Sequence, residues 1–321
     1  MIKKIILGSS GICVSEIALG TMYFGWKDSE ESSFERLNQY TEAGGNFIDT
    51  ANVYTRREAL GLDLYGKDFD KFEDGASERL IGAWMKEKKN RNGIILATKV
   101  GFAYPGIEIG TSRKQIKEEC EKSLKRLGTD YIDLYYLHMD DKKTPFEESL
   151  SALTELVREG KVRAVGASNF TAERLTEADG VAKREGFVRF SCIQNKGTYL
   201  TPRADVDYGR QAPLCESVIS AAQKLGITPI AYSPLAKGYY ANREKALAEC
   251  YRSSENEEKI KILDKVAGEI GVTPVQLVYA FLIQSRPSII PIVASSTKEQ
   301  FCEALDALKI SLTPDIINEL I

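Results

Sequence analysis

The chain has 321 residues, 43% hydrophobic and 28% charged with both signs mixed throughout, a composition that suits one large domain spanning 1–321 around a sizeable core. Lys and Arg total 43 against 46 Asp and Glu, and this net charge of -3 is too balanced for a nucleic-acid or anionic-membrane partner. No signal-peptide core or membrane span is evident, and six scattered cysteines with one histidine argue against disulfides and zinc, so a cytoplasmic protein is expected.

In chain order, Ile2–Leu7, a turn at Gly8–Gly11 and Ile12–Val14 predict a small β-hairpin, placed to plug the N-terminal end of a barrel. Eight short β-prone runs come next: Ile17–Gly20, Asn46–Asp49, Ile94–Lys99, Ile132–His138, Val162–Ser168, Cys192–Gln194, Thr228–Tyr232 and Ile289–Val293. Helical segments with their own boundary signals separate them. Ser112 and Gln115 form a capping-box pattern before a stripe of Ile116, Cys120, Leu124 and Leu127 that ends at Gly128. Thr144-Pro145 with Glu147 predicts a second box leading to Leu150, Leu153, Leu156 and Val157, and Thr273-Pro274 with Gln276 a third. Thr55–Ser77, Pro202–Pro213 and Lys237–Asn256 read as long loops. Alternating strands and helices imply parallel strands joined by crossovers, and eight such units close into an α/β (β/α)8 TIM barrel with an N-terminal hairpin. The open doubly wound sheet is the rival.

In such a barrel the functional groups gather where strands end. Asp49, Lys99 and His138 each close an apolar run, and Tyr54 follows Asp49 by five residues. Singly, each has a plainer explanation: a helix cap, a snorkelling lysine, a satisfied core histidine, a packed aromatic. Three ionisable groups around one mouth are costly unless they pair. An ammonium beside a phenol favours the phenolate, lowers the phenol's pKa from about 10 and so makes it a proton donor. A carboxylate beside the lysine keeps it charged, and an imidazole can orient a substrate oxygen. Reduction of a carbonyl needs such a set.

The stretch Gly44–Tyr54, the segment Leu124–His138 and Lys99 within Ala97–Val100 resemble the matching segments of the aldo-keto reductase superfamily. The likeness runs from Ser15 to about Leu308. It implies a nicotinamide-dependent oxidoreductase in which Tyr54 is the general acid, Lys99 and Asp49 tune it, and His138 positions the substrate. It also implies that Asn169 and Gln194 hold the nicotinamide carboxamide beside Ser168, that Tyr232 stacks on the ring, and that Thr21, Ser233, Leu235 and Gly238 line the cofactor. Ser296, Lys298, Gln300 and Glu303 would meet the adenosine end, where Thr297 and Gln300 form a capping pattern suited to an anion. The sequence departs from the common pattern at Ala294, Ala304 and Thr55. NADPH is the expected cofactor, with NADH the alternative.

Tyr23, Phe24, Trp26, Phe102 and Tyr104 are candidates for an aromatic substrate pocket. The partner implied is a small-molecule carbonyl compound (aldehyde, ketone or sugar-like), with oligomeric state left open. Two other readings compete: a cofactor-sensing regulatory subunit with little turnover, and a lyase or aldolase that uses Lys99 as a Schiff-base amine.

Overall fold

The computed structural model describes residues 2–54, 75–104 and 106–321. Strands β1 (Lys4–Ile6) and β2 (Cys13–Ser15) pair antiparallel as the expected hairpin, with Ile5 opposite Val14. Leu7, Ile12 and Val14 are buried with Phe47, Ala97, Leu134 and Cys192, so the hairpin closes the bottom of the barrel. At its turn the Gly8 N–H donates to Thr228 Oγ1 at 2.7 Å. A Cβ on Gly8 would lie 2.2 Å from the Ser191 carbonyl oxygen, and its φ is +49°, so only glycine lets the turn approach so closely.

Eight parallel strands form a closed barrel: β3 (Ala18–Gly20), β4 (Phe47–Asp49), β5 (Ile95–Val100), β6 (Ile132–Leu137), β7 (Val162–Ser168), β8 (Phe190–Lys196), β9 (Thr228–Tyr232) and β10 (Ile290–Val293). Strand β10 pairs with both β9 and β3, which completes the circle and excludes the open sheet. Each expected run became a strand. The sixth is longer than its apolar stretch, beginning at Phe190 and continuing to Lys196 against Thr228–Tyr232.

Among the described residues ten α-helices accompany the strands: α1 (Glu30–Glu42), α2 (Ala76–Lys88), α3 (Arg113–Leu127), α4 (Phe146–Arg158), α5 (Ala172–Glu185), α6 (Glu216–Leu225), α7 (Ser254–Ile270), α8 (Pro274–Gln284), α9 (Lys298–Asp306) and α10 (Pro314–Leu320). Capping boxes open α3 at Ser112 and α8 at Thr273, as their sequences predict, and α3 stops at Gly128 with φ 64°. The box predicted at Thr144 is absent. Thr144 instead gives its hydroxyl hydrogen to Asp141 Oδ2 at 2.6 Å, and Pro145 occupies the N-cap of α4. Helix α4 still buries Leu150, Leu153 and Leu156 of its predicted stripe, each worth about 1.5–3 kcal/mol of transfer free energy, while Val157 is half-buried.

The apolar side chains form two clusters, one inside the barrel and a larger one between the strands and their helices. Pro202–Pro213 is irregular as expected, whereas the loop expected to reach Asn256 ends earlier because Ser253 caps α7. Of the loop expected at Thr55–Ser77, residues 55–74 lie outside the described residues. No single helix among the described residues is long and apolar enough to cross a membrane.

Candidate active site

Asp49 ends β4, Lys99 is the next-to-last residue of β5, and His138 directly follows β6. Three adjacent strands therefore deliver three ionisable groups to one rim. Lys99 Nζ donates to Asp49 Oδ1 at 2.5 Å, to the Thr50 carbonyl at 2.7 Å and to Tyr54 Oη at 3.1 Å. Its side chain is wholly buried and that of Asp49 is 3% exposed, so the pair has little water to screen it. Burial raises the Asp49 carboxyl above its ordinary value, opposed by the Lys99 charge and by hydrogen bonds from Lys99 and Gln194. The Tyr54 and His138 rings meet edge to face at 5.9 Å, so the phenol, amine, carboxylate and imidazole share one mouth.

His138 is held well below the ordinary imidazole pKa, first by burial and then by the Lys99 ammonium. The ring is therefore neutral at neutral pH. Its Nδ1 is buried and has no hydrogen-bond partner among the described residues. On its other side the ring packs edge to face on Phe102 at 4.6 Å.

Behind the rim Thr21, fully buried, gives its hydroxyl hydrogen to the Asp49 carbonyl at 2.9 Å. Ser77, in the first turn of α2, bonds to Thr21 and to the Thr50 hydroxyl, and its N–H reaches the Tyr54 carbonyl at 3.2 Å. Sequence reasoning did not single out Ser77. Its signal was a small polar residue just ahead of the stripe formed by Leu80, Ile81 and Trp84.

The expected nicotinamide-binding residues lie on neighbouring strands, Ser168, Gln194 and Tyr232 within β7, β8 and β9 and Asn169 directly after β7. Gln194 gives an amide hydrogen to Asp49 Oδ2 at 2.8 Å, which joins it to the ionisable group. Asn169, with φ 63°, donates through Nδ2 to the His138 carbonyl and Ser168 Oγ, while its Oδ1 accepts from the Tyr232 hydroxyl and the Ala212 N–H. All four hydrogen-bonding positions of the Asn169 amide are therefore engaged within the protein. After Tyr232, left-handed backbone recurs at Ser233, Ala236, Lys237 and Gly238, with φ between 47° and 86°. Three of these four carry a side chain, so the segment after β9 holds a cluster of strained backbone, with the Ala236 N–H donating to the Ser233 carbonyl and the Gly238 N–H to the Leu235 carbonyl.

Ser296, Lys298 and Gln300 stand at the start of α9. Thr297 caps it, but Gln300 Oε1 accepts from the Ser296 N–H rather than completing a box with Thr297. Arg36 of α1 donates to the Ser296 carbonyl at 2.8 Å and fixes this segment to the barrel flank. Glu303, one turn on, accepts from the Thr273 hydroxyl at 2.6 Å. Phe24 does not line an open pocket: it is 2% exposed and packed in the core beside Arg36. Tyr23, Trp26, Phe102 and Tyr104 remain partly exposed. Among the described residues no group of His, Cys, Asp and Glu side chains suits a metal ion.

The family model for the Aldo/keto reductase family matches residues 16–320. A norsolorinic acid reductase of Aspergillus flavus is 30% identical, over 99% of this chain and 79% of its own length. An uncharacterized oxidoreductase of Bacillus subtilis, YrpG, is 31% identical over 98% of this chain and 93% of its own. An aryl-alcohol dehydrogenase [NADP(+)] of Phanerodontia chrysosporium is 31% identical over 95% and 81%.

Proposed function

This chain belongs to the aldo/keto reductase family of nicotinamide-dependent oxidoreductases, and from that premise we propose that it reduces an aldehyde, ketone or sugar-like carbonyl with Tyr54 as general acid. The observation that carries the reading is the position of Lys99 Nζ, within hydrogen-bonding reach of both Asp49 Oδ1 and Tyr54 Oη.

When bound, the reduced nicotinamide supplies a hydride to the carbonyl carbon. Tyr54 gives its proton to the carbonyl oxygen as negative charge develops there, so carbonyl becomes alcohol and phenol becomes phenolate. Tyr54 Oη accepts from Lys99, and the ammonium stabilises the phenolate that forms. Asp49 holds Lys99 charged and in place. Neutral His138 orients the carbonyl oxygen as a donor without competing as a strong acid.

The chain's own donors suit a dinucleotide. Gln194 offers an amide beside the rim, Tyr232 offers a ring face, and the segment Ser233–Gly238, with its left-handed residues, would face the pyrophosphate. Asn169 would act chiefly by holding Tyr232 and the His138 strand end, since its own amide is already engaged. Ser296, Lys298 and Gln300 would take the adenosine phosphate, and NADPH is the proposed donor, in keeping with the NADP(+) in the name of one relative.

Single-turnover oxidation of bound NADPH by a generic aldehyde tests the assignment. Tyr54→Phe should slow that step by about a thousandfold while leaving the cofactor Kd nearly unchanged. A Tyr54→Phe variant that keeps the full rate removes the tyrosine from the mechanism.

A further inference from the structure

Glu119 lies off the catalytic rim, on α3, and is 1% exposed. Its Oε2 accepts two hydrogen bonds, from Asn52 Nδ2 at 2.8 Å and from the Tyr104 hydroxyl at 2.6 Å. Its Oε1 accepts one from Lys122 Nζ at 2.8 Å. The two donors to Oε2 come from different loops at the barrel mouth. Asn52 stands two residues before Tyr54, and its backbone N–H reaches the Lys99 carbonyl at 3.2 Å. Tyr104 stands two residues after Phe102, whose ring meets that of His138.

A single buried carboxylate oxygen thus ties the loop that ends in the phenol to the loop that walls the imidazole. Hydrogen bonds to an ionised acceptor are about twice as strong as neutral ones, so both ties are firm. Asn52 Oδ1 is buried without a partner among the described residues, which leaves its side chain held by the Glu119 bond alone. Removing the carboxylate would strand that amide and cut the hydrogen bond from Tyr104 together.

Resting on the reading that Tyr54 is the acid and His138 the orienting group, we propose that Glu119 is a positioning residue of the reaction. Its Tyr104 arm holds Phe102 against His138 and fixes the width of the substrate pocket. Its Asn52 arm holds the Tyr54 loop at its distance from Lys99. The arms bear on different steps, so cutting them one at a time separates substrate fit from proton transfer.

Steady-state kinetics with NADPH and a bulky aldehyde, beside fluorescence titration of the cofactor, provide the test. Tyr104→Phe removes one hydroxyl and should raise the aldehyde KM about tenfold with kcat within about twofold. Asn52→Ala should lower kcat about tenfold with KM within about twofold. Glu119→Leu should show both losses, whereas Glu119→Gln, which keeps a carbonyl acceptor, should retain at least about half of kcat/KM. Cofactor Kd should hold in all four. A wild-type protein that turns over no carbonyl overturns the functional reading, and this inference with it. If the wild type is active but the two arms shift kcat and KM alike, or lower only the melting temperature, Glu119 is a structural carboxylate and the inference alone falls.

Discussion

Gln194 and Lys99 grip opposite oxygens of the same carboxylate: Gln194 Nε2 lies 2.8 Å from Asp49 Oδ2, and Lys99 Nζ lies 2.5 Å from Asp49 Oδ1. The residue proposed for the nicotinamide is therefore mechanically joined to the residue proposed to tune the acid. Gln194→Glu keeps the shape and removes the donor, setting a second carboxyl against a buried one. One of the two must then hold a proton, so the folded state binds more protons than the unfolded state, and stability falls as pH rises. The variant should lose about 3 kcal/mol at neutral pH, and less in mild acid. Urea unfolding at several pH values reads this directly. A variant as stable as wild type at pH 8 would show that the contact carries no weight.

Asp49, Lys99 and His138 were legible in the sequence because each is a polar residue at or near the end of an apolar run, and a barrel puts strand ends together. Glu119 was not. It sits in a highly charged helix among Lys117, Glu118, Glu121 and Lys122, where one more acid reads as solvated surface. Its burial follows from contact with Asn52, 67 residues away, and with the loop after β5. Ser77 escaped notice for the same reason, since its partner Thr21 is 56 residues distant. Phe24 misled in the other direction. It follows the first barrel strand, as a pocket residue would, but the chain turns it under α1 beside Arg36. At Thr144 the local capping pattern misled because α4 has its N-cap one residue later, at Pro145, which leaves Thr144 outside the helix with its hydroxyl donating to Asp141. Periodicity and strand ends were readable, whereas side-chain partners far apart in sequence were decided by the closed fold.

Arg36 is the link between the barrel flank and the segment assigned to the adenosine phosphate. Its guanidinium donates to Asp28 at 2.6 Å, to Ser32 Oγ at 3.0 Å and to the Ser296 carbonyl at 2.8 Å, with its side chain only 6% exposed. Arg36→Met keeps much of the packing and frees Ser296 while leaving Asp28 without its cation. It should cost about 3 kcal/mol of stability, as expected for breaking a largely buried pair. If Ser296 and Lys298 contact the cofactor, the Kd for NADPH should also rise about tenfold through loss of preorganisation. Calorimetric titration well below the variant's melting temperature separates the two effects. An unchanged Kd in a destabilised protein would remove the segment from the cofactor site.

The single histidine of the chain makes one pH dependence separable. Burial and the Lys99 ammonium hold the His138 imidazole well below its ordinary 6.5 in the folded protein, whereas the unfolded chain titrates normally. Below pH 6.5 the unfolded state therefore binds more protons than the folded one. The stability that neutral His138 confers is complete above that pH and declines on acidification, by at most about 1.4 kcal/mol per pH unit. His138→Asn has no such group. The difference in urea-unfolding free energy between wild type and this variant should be constant from pH 7 to 8, then move against the wild type as pH falls towards 5. Asp49 titrates in both proteins, so subtraction largely cancels its contribution. Parallel stability curves across that range would mean that the buried imidazole accepts its proton as easily as a free one, and His138 could not then be the neutral donor the mechanism requires.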